Sequence, residues 1–188
     1  MIILYADDIL LLAPSVTGLQ NLFSVCEARL HELDMAINAK KSCCLRIGPR
    51  CHIDCISVTT AYGICIPWVS EMRYLGVTIV RSRTFKCSYD AAKRSFYKAA
   101  NAIFGKVGRI ASEEVVLELV SKKCVPILLY GLEACQPKTG ERQSLDFTVN
   151  RFLFKLFKTN NITVVNECRH FFKFYLPSEL LSIRSAKF

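Results

Sequence analysis

The sequence has no uninterrupted apolar run approaching the roughly 18 residues that a membrane-crossing helix needs, which excludes a transmembrane span. Asp7 and Asp8 break the first apolar stretch and no basic run precedes it, so no secretory signal is expected and an intracellular chain, nuclear or cytoplasmic, is expected. Internal repeats and low-complexity segments are absent. Histidine is scarce, at three residues, and His31 has no second histidine four positions on, so no helical metal pair exists. Cysteine is plentiful, at ten, but badly spaced for zinc: Cys43, Cys44, Cys51, His52 and Cys55 cluster without a finger pattern. Cys168 and His170 are too few for a knuckle. No zinc is expected, and without a secretory signal the thiols are expected to be reduced.

What is present is oily. The 188 residues are 52% hydrophobic, with a mean hydropathy of +0.27. That length holds one domain or two small ones. So apolar a chain is expected to belong to something larger whose remaining part covers its exposed faces. The net charge of +9 is unevenly placed. Residues 1–80 carry 6 Lys and Arg against 7 Asp and Glu, net −1; residues 81–188 carry 19 against 9, net +10. A basic second half implies a polyanionic partner bound mainly there.

The chemistry concentrates at the start. Asp7 and Asp8 sit between the apolar runs Ile2-Ile3-Leu4-Tyr5 and Ile9-Leu10-Leu11-Leu12, two short strands around a tight turn. Burying an unpaired carboxylate among Ile and Leu is costly, so such a pair is expected to meet a cation. Clustered Asp oxygens suit Mg²⁺ or Mn²⁺, which bind substrate phosphates as well. An exposed, merely solvated turn is the plain alternative.

Further motifs follow in order. Ser15 is positioned as the cap of an amphipathic helix with Leu19, Leu22, Phe23, Cys26, Leu30 and Leu33 on one face. A loop then carries Asn38, Lys41 and Ser42, followed by a strand-like run from Cys43 to Gly48. Short strands are expected around Ile56-Ser57-Val58 and Ile64-Cys65-Ile66, and another over Tyr74-Leu75-Gly76-Val77-Thr78-Ile79. Around Arg81-Ser82-Arg83 the pattern turns helical. One helix bears Tyr89, Phe96, Ile103 and Val107 on its apolar stripe, with Lys93, Arg94 and Lys98 off it. A second starts at Ser112 and should kink or end at Pro126. A third spans about Arg142 to Lys158, with Arg151 and Lys155 on its basic face, and Pro177-Ser178-Glu179 opens a last one.

Tyr5-Ala6-Asp7-Asp8 within its apolar flanks resembles the Tyr-X-Asp-Asp hairpin of reverse transcriptases, most closely those of LINE-type non-LTR retrotransposons. Asn38-x-x-Lys41-Ser42 is similar to the loop that follows one helix later in that family, and Tyr74-Leu75-Gly76 to its aromatic-Leu-Gly strand. The segment Val125 to Cys135 is similar to one found after the palm. The resemblance implies that Asp7 and Asp8 hold Mg²⁺ (or Mn²⁺), with Tyr5 and Ala6 near the primer end. It implies that Lys41 acts as general acid toward pyrophosphate, a role that typically contributes ~10²–10⁴-fold. Tyr74, Leu75 and Gly76 would grip the primer. Lys93, Arg94, Lys98, Arg151 and Lys155 would track the template–primer backbone, which positions a duplex without reading its sequence.

The expected fold is therefore α+β. A partial polymerase palm over residues 1–84, an antiparallel sheet with the catalytic hairpin and one packed helix, precedes an all-α, thumb-like bundle over 85–188. The implied partners are an RNA template, a DNA primer and dNTPs. Two-metal transfer needs ligands around both ions, and the family supplies another Asp, with the fingers, from residues preceding the hairpin. Asp34, Asp54 and Asp90 lack the apolar-strand context to replace it. The chain alone is expected to be inactive. Two other readings stay open: a non-catalytic basic nucleic-acid-binding module, and a translated remnant without function.

Overall fold

The computed structural model describes residues 1–108, 110–132 and 135–185. The chain is α+β, with small antiparallel sheets, and divides into two compact units. The first comprises Met1–Arg73 with Ile79–Lys86, the second Tyr74–Thr78 with Cys87–Phe188. No helix among the described residues is long and apolar enough to cross a membrane.

In the first unit, strands β1 (Ile2–Tyr5) and β2 (Asp8–Leu11) pair antiparallel and stand as a two-stranded sheet of their own. The ladder continues past them, because Met1 and Leu12 exchange backbone hydrogen bonds at 2.8 and 2.9 Å. Helix α1 (Val16–His31) begins as its sequence dictates: the Ser15 hydroxyl accepts from the Gly18 N–H at 3.1 Å. Its face packs on a small core of Phe23, Cys44, Val58 and Ile66, against which Leu11, Val16, Leu19, Ile37, Ala39 and Trp68 also lie. Leu11 thus anchors the hairpin to α1.

Strands β3 (Val58–Thr59) and β4 (Cys65–Ile66) form the second small hairpin. Its edge is sealed by a side chain. Gln20 Nε2 donates to the Thr59 carbonyl while Thr59 N–H donates to Gln20 Oε1, both at 2.8 Å, as a neighbouring strand would. Glu27 similarly accepts from Ala61 N–H at 2.8 Å. The run from Cys43 to Gly48, expected as a strand, forms only isolated bridges, Cys44 with Trp68 and Ile47 with Ser82. The two bridges reach different segments, so no continuous ladder partner exists for it.

Strands β5 (Glu71–Tyr74), β6 (Val77–Val80) and β7 (Cys87–Ser88) make a three-stranded sheet in that order, at which the chain passes from one unit to the other. Here the expectation of a continuous strand from Tyr74 to Ile79 is corrected. Leu75 and Gly76 are the turn of a hairpin, both with positive φ, +46° and +83°, the backbone that a two-residue hairpin turn of the primed type demands.

The second unit is helical apart from its strand residues. Helix α2 (Asp90–Val107) and α5 (Thr139–Leu156) run side by side. Lys93 Nζ donates to Ser144 Oγ at 2.8 Å, and Lys155 Nζ to Asn101 Oδ1 at 2.9 Å. Both numbers rise together along the two helices, so they are parallel. Helix α3 (Glu113–Leu119) continues through a π-helical segment, Val120–Cys124, into α4 (Val125–Leu129). Pro126 was expected to end or kink the helix. The α-helix does end ahead of it, at Leu119, and after the π segment Pro126 sits in the first turn of α4, where its missing N–H is tolerated. Of the Val125 to Cys135 segment, residues 133 and 134 lie outside the described residues, as do residues 186–188 of the tail.

Helices α6 (Ile162–Phe171) and α7 (Pro177–Ser185) complete the unit. Arg169, buried, donates to both Glu179 oxygens at 2.9 and 3.1 Å and so ties α6 to α7. A continuous core runs through Phe96, Val116, Leu128, Leu145, Leu153 and Val165. One cysteine pair departs from the expectation of reduced thiols: Cys87 and Cys135 are joined in a disulfide. They are 48 residues apart, and no spacing pattern announces them.

Candidate active site

The hairpin tip is built by backbone geometry. Tyr5 pairs with Asp8, leaving Ala6 and Asp7 as a two-residue turn. Ala6 takes a φ of +47°, a left-handed conformation that costs a non-glycine residue on the order of 1–3 kcal/mol and gathers at functional sites. The turn throws the neighbouring carboxylates of Asp7 and Asp8 outward, and both are exposed. This corrects one step of the reasoning from sequence. The apolar strands are not buried around the acids: Leu4 is 68% and Tyr5 62% exposed. No desolvation penalty therefore compels a cation there.

The lysine loop has its own internal logic. The Asn38 carbonyl accepts from the N–H groups of Lys41 and Ser42, both at 3.0 Å, and from the Ser42 hydroxyl at 2.9 Å. Asn38 Oδ1 also accepts from Lys41 N–H at 3.3 Å. Asn, Lys and Ser at this spacing thus close one tight turn, which leaves the Lys41 side chain exposed. No hydrogen bond or ion pair joins the Asp7, Asp8 or Lys41 side chains to another described residue.

At the β5–β6 hairpin, the Gly76 backbone is closely approached by the Tyr130 side chain. A Cβ there would lie 2.7 Å from the Tyr130 ring. Tyr130 in turn donates its hydroxyl to the Leu75 carbonyl at 3.0 Å. The Tyr74 hydroxyl is buried with no hydrogen-bond partner among the described residues. Tyr74, Leu75 and Gly76 belong to the second unit, Tyr5 to Asp8 and Lys41 to the first.

The basic side chains divide into two kinds. Lys93 is held by Ser144 and by Asp90, the latter at 3.6 Å, and Lys155 by Asn101 and over the Phe104 ring at 4.8 Å. Arg94, Lys98 and Arg151 are exposed, with no hydrogen bond or ion pair to a described residue. The first kind braces α2 against α5; the second is open to an outside anion.

The motifs in their order, and the strained turn that presents two acids, can be set beside known proteins. Residues 1–79 match the reverse transcriptase (RNA-dependent DNA polymerase) family. The match takes in the acidic hairpin, the lysine loop and the Leu75-Gly76 turn, and it supports a reverse transcriptase-like polymerase. No curated protein and no solved structure matches the chain.

Reverse transcriptases use a divalent metal, and the donor set can be tested against that. Asp7 and Asp8 offer hard oxygens of the kind Mg²⁺ prefers. Among the described residues, however, no three His, Cys, Asp or Glu side chains come together to hold a metal. Two carboxylates on one turn do not encircle a pair of ions. The residues present are thus an incomplete set. The thiols do not extend it: burial first, then Cys43 and Cys55, pushes Cys44 up to about 11, so it stays protonated at neutral pH.

Proposed function

We propose that the chain is a segment of an RNA-directed DNA polymerase of the LINE type, with the last part of a palm in residues 1–84 and a thumb in 85–188. In this reading Asp7 and Asp8 contribute carboxylates toward Mg²⁺ (or Mn²⁺), and Lys41 is the proton donor to the leaving pyrophosphate. Tyr5, Ala6, Tyr74, Leu75 and Gly76 face the primer. Arg94, Lys98 and Arg151, with Lys93 and Lys155 behind them, meet the phosphates of an RNA template and DNA primer. Because the donor set is incomplete, the isolated chain performs no nucleotidyl transfer.

One observation carries the reading. A strained two-residue turn presents adjacent carboxylates at the tip of a hairpin, inside the stretch that matches the family, and the Asn38-closed lysine turn follows in order. The test is a Mn²⁺ titration followed by water-proton relaxation. The chain is expected to bind with a Kd on the order of millimolar, and the Asp7→Asn/Asp8→Asn double variant to lose that binding. Equal binding by both would reduce the pair to a solvated turn. With primed RNA template, dNTPs and Mg²⁺, no primer extension is expected; extension would refute the inactivity.

A second reading is favoured by Arg94, Lys98 and Arg151, which are open to solvent whatever the hairpin does: a non-catalytic nucleic-acid-binding module. Polynucleotide affinity that falls steeply with salt, together with unchanged Mn²⁺ binding in the double variant, would select it.

A further inference from the structure

The first unit holds a cleft of about 70 Å³ lined by Arg46, Cys51, Asp54, Cys55, Trp68 and Arg81 among others, and by no residue of either motif turn. Three features make it a site rather than a dimple. Two arginines from distant parts of the sequence, Arg46 and Arg81, both line it. Arg46 uses one N–H on the Ile53 carbonyl at 3.0 Å and keeps its others. The Arg81 side chain makes no hydrogen bond or ion pair with a described residue, although its backbone N–H is fixed on the Ser70 carbonyl at 2.8 Å. Trp68 is held in place, its Nε1 donating to the Ile56 carbonyl at 3.2 Å and its ring resting on the small core.

Size and charge then select the ligand. The space is several times the ~10–15 Å³ that one water requires, enough for a phosphate group but not for a whole nucleotide. A base would have to lie at the rim, where the indole is. Two arginines less one Asp54 carboxylate leave a single positive charge, which suits a phosphodiester better than the multiple charges of a free triphosphate. Guanidinium groups on phosphate beside an aromatic platform are the elements of single-strand recognition.

We propose that this cleft binds a single-stranded nucleic acid, one phosphodiester lodged between Arg46 and Arg81 and the adjoining base stacked on Trp68. The site uses no residue of the acidic hairpin, so it can stand or fall without the polymerase reading.

Trp68 is the only tryptophan in the chain, so its fluorescence reports this site alone. A single-stranded oligodeoxyadenylate at low salt is expected to quench it saturably, while a blunt duplex, whose bases are already stacked, is not. Arg81→Ala removes no hydrogen bond or ion pair to a described residue and is expected to weaken binding about tenfold. It should also flatten the dependence of log K on log salt by about 0.7, the value for one phosphate contact on a single strand. Arg46→Ala/Arg81→Ala should abolish the quenching. Absence of quenching, equal quenching by the duplex or by inorganic phosphate, or an unchanged affinity in Arg81→Ala would each overturn the proposal.

Discussion

The two units are stabilised in different ways. The second is held by burial, with a core that passes without interruption from α2 through α5 to α7 and aromatic pairs such as Phe96 with Phe152 packed edge to face. The first has a small buried cluster, Phe23, Cys44, Val58 and Ile66, with Cys26, Cys51 and Thr60 buried outside it, and leaves Ile2, Ile3, Leu4, Ile56 and Tyr62 exposed. It compensates with polar side chains that close backbone edges: Gln20 on β3, Glu27 on Ala61, Asn38 on its own turn. A hydrophobic sequence therefore does not guarantee a hydrophobic interior. Apolar strands need a partner face, and among the described residues β1 has only β2.

The largest effect that would sharpen this contrast is expected from one buried phenylalanine in each unit, Phe96 and Phe23. Phe96 is completely buried, and Phe96→Ala should cost about 3–5 kcal/mol. Phe23→Ala should cost less than that range, because a small core can close over the gap. Urea unfolding followed by far-ultraviolet circular dichroism reports mainly the helices of the second unit, and Trp68 emission reports the first. Phe96→Ala should move the first signal and Phe23→Ala the second. If both signals shift together in both variants, the units unfold as one and the contrast fails.

What the sequence made legible follows from how local each signal is. The Ser15 cap, the Tyr5 to Asp8 turn and the helix opening at Pro177 are written in residues within one turn of the feature, and they appear in the structure. The strand over Tyr74 to Ile79 was misread because leucine rarely takes positive φ, so Leu75 gave no turn signal. Pro126 marked where the first α-helix gives way to the next, but the π segment between them has no signature of its own. Non-local features were invisible: the Arg169–Glu179 pair, the Cys87–Cys135 disulfide, and the meeting of Arg46, Trp68 and Arg81. For the candidate site, the exposed Asp7 and Asp8 match the solvated turn that stood as the alternative, because alternating apolar residues on a two-stranded hairpin do not say which face, if any, is covered.

A smaller effect tests whether side chains substitute for burial in the first unit. Gln20→Ala strips both backbone partners from Thr59, two groups only partly open to water. A loss of about 1–2 kcal/mol is expected, visible in the Trp68 transition and not in the helical one. Gln20→Glu keeps the acceptor for Thr59 N–H and should recover part of it. No change in either variant would mean that water satisfies β3 equally well.

The smallest effect lies in the second unit, where polar groups matter least, and is read through pH. Tyr89 donates its hydroxyl to the Cys135 carbonyl at 2.8 Å. Burial, and then the Glu141 carboxylate, pushes it up from its ordinary 10.0 to about 12. The neutral form is therefore the one the fold prefers. As pH rises through 10 the unfolded chain loses this proton first, so the folded state binds more protons and stability must fall with pH. The contribution is whole below pH 10 and is lost between 10 and about 12. Tyr89→Phe removes the hydrogen bond at every pH and should cost about 1 kcal/mol near neutrality. With the disulfide intact in both proteins, the gap between native chain and variant should narrow steadily over that alkaline window in urea titrations read by circular dichroism. A gap that stays constant or widens would mean that the phenol is free to ionise in the folded state, and that this unit's core is less closed to water than its packing indicates.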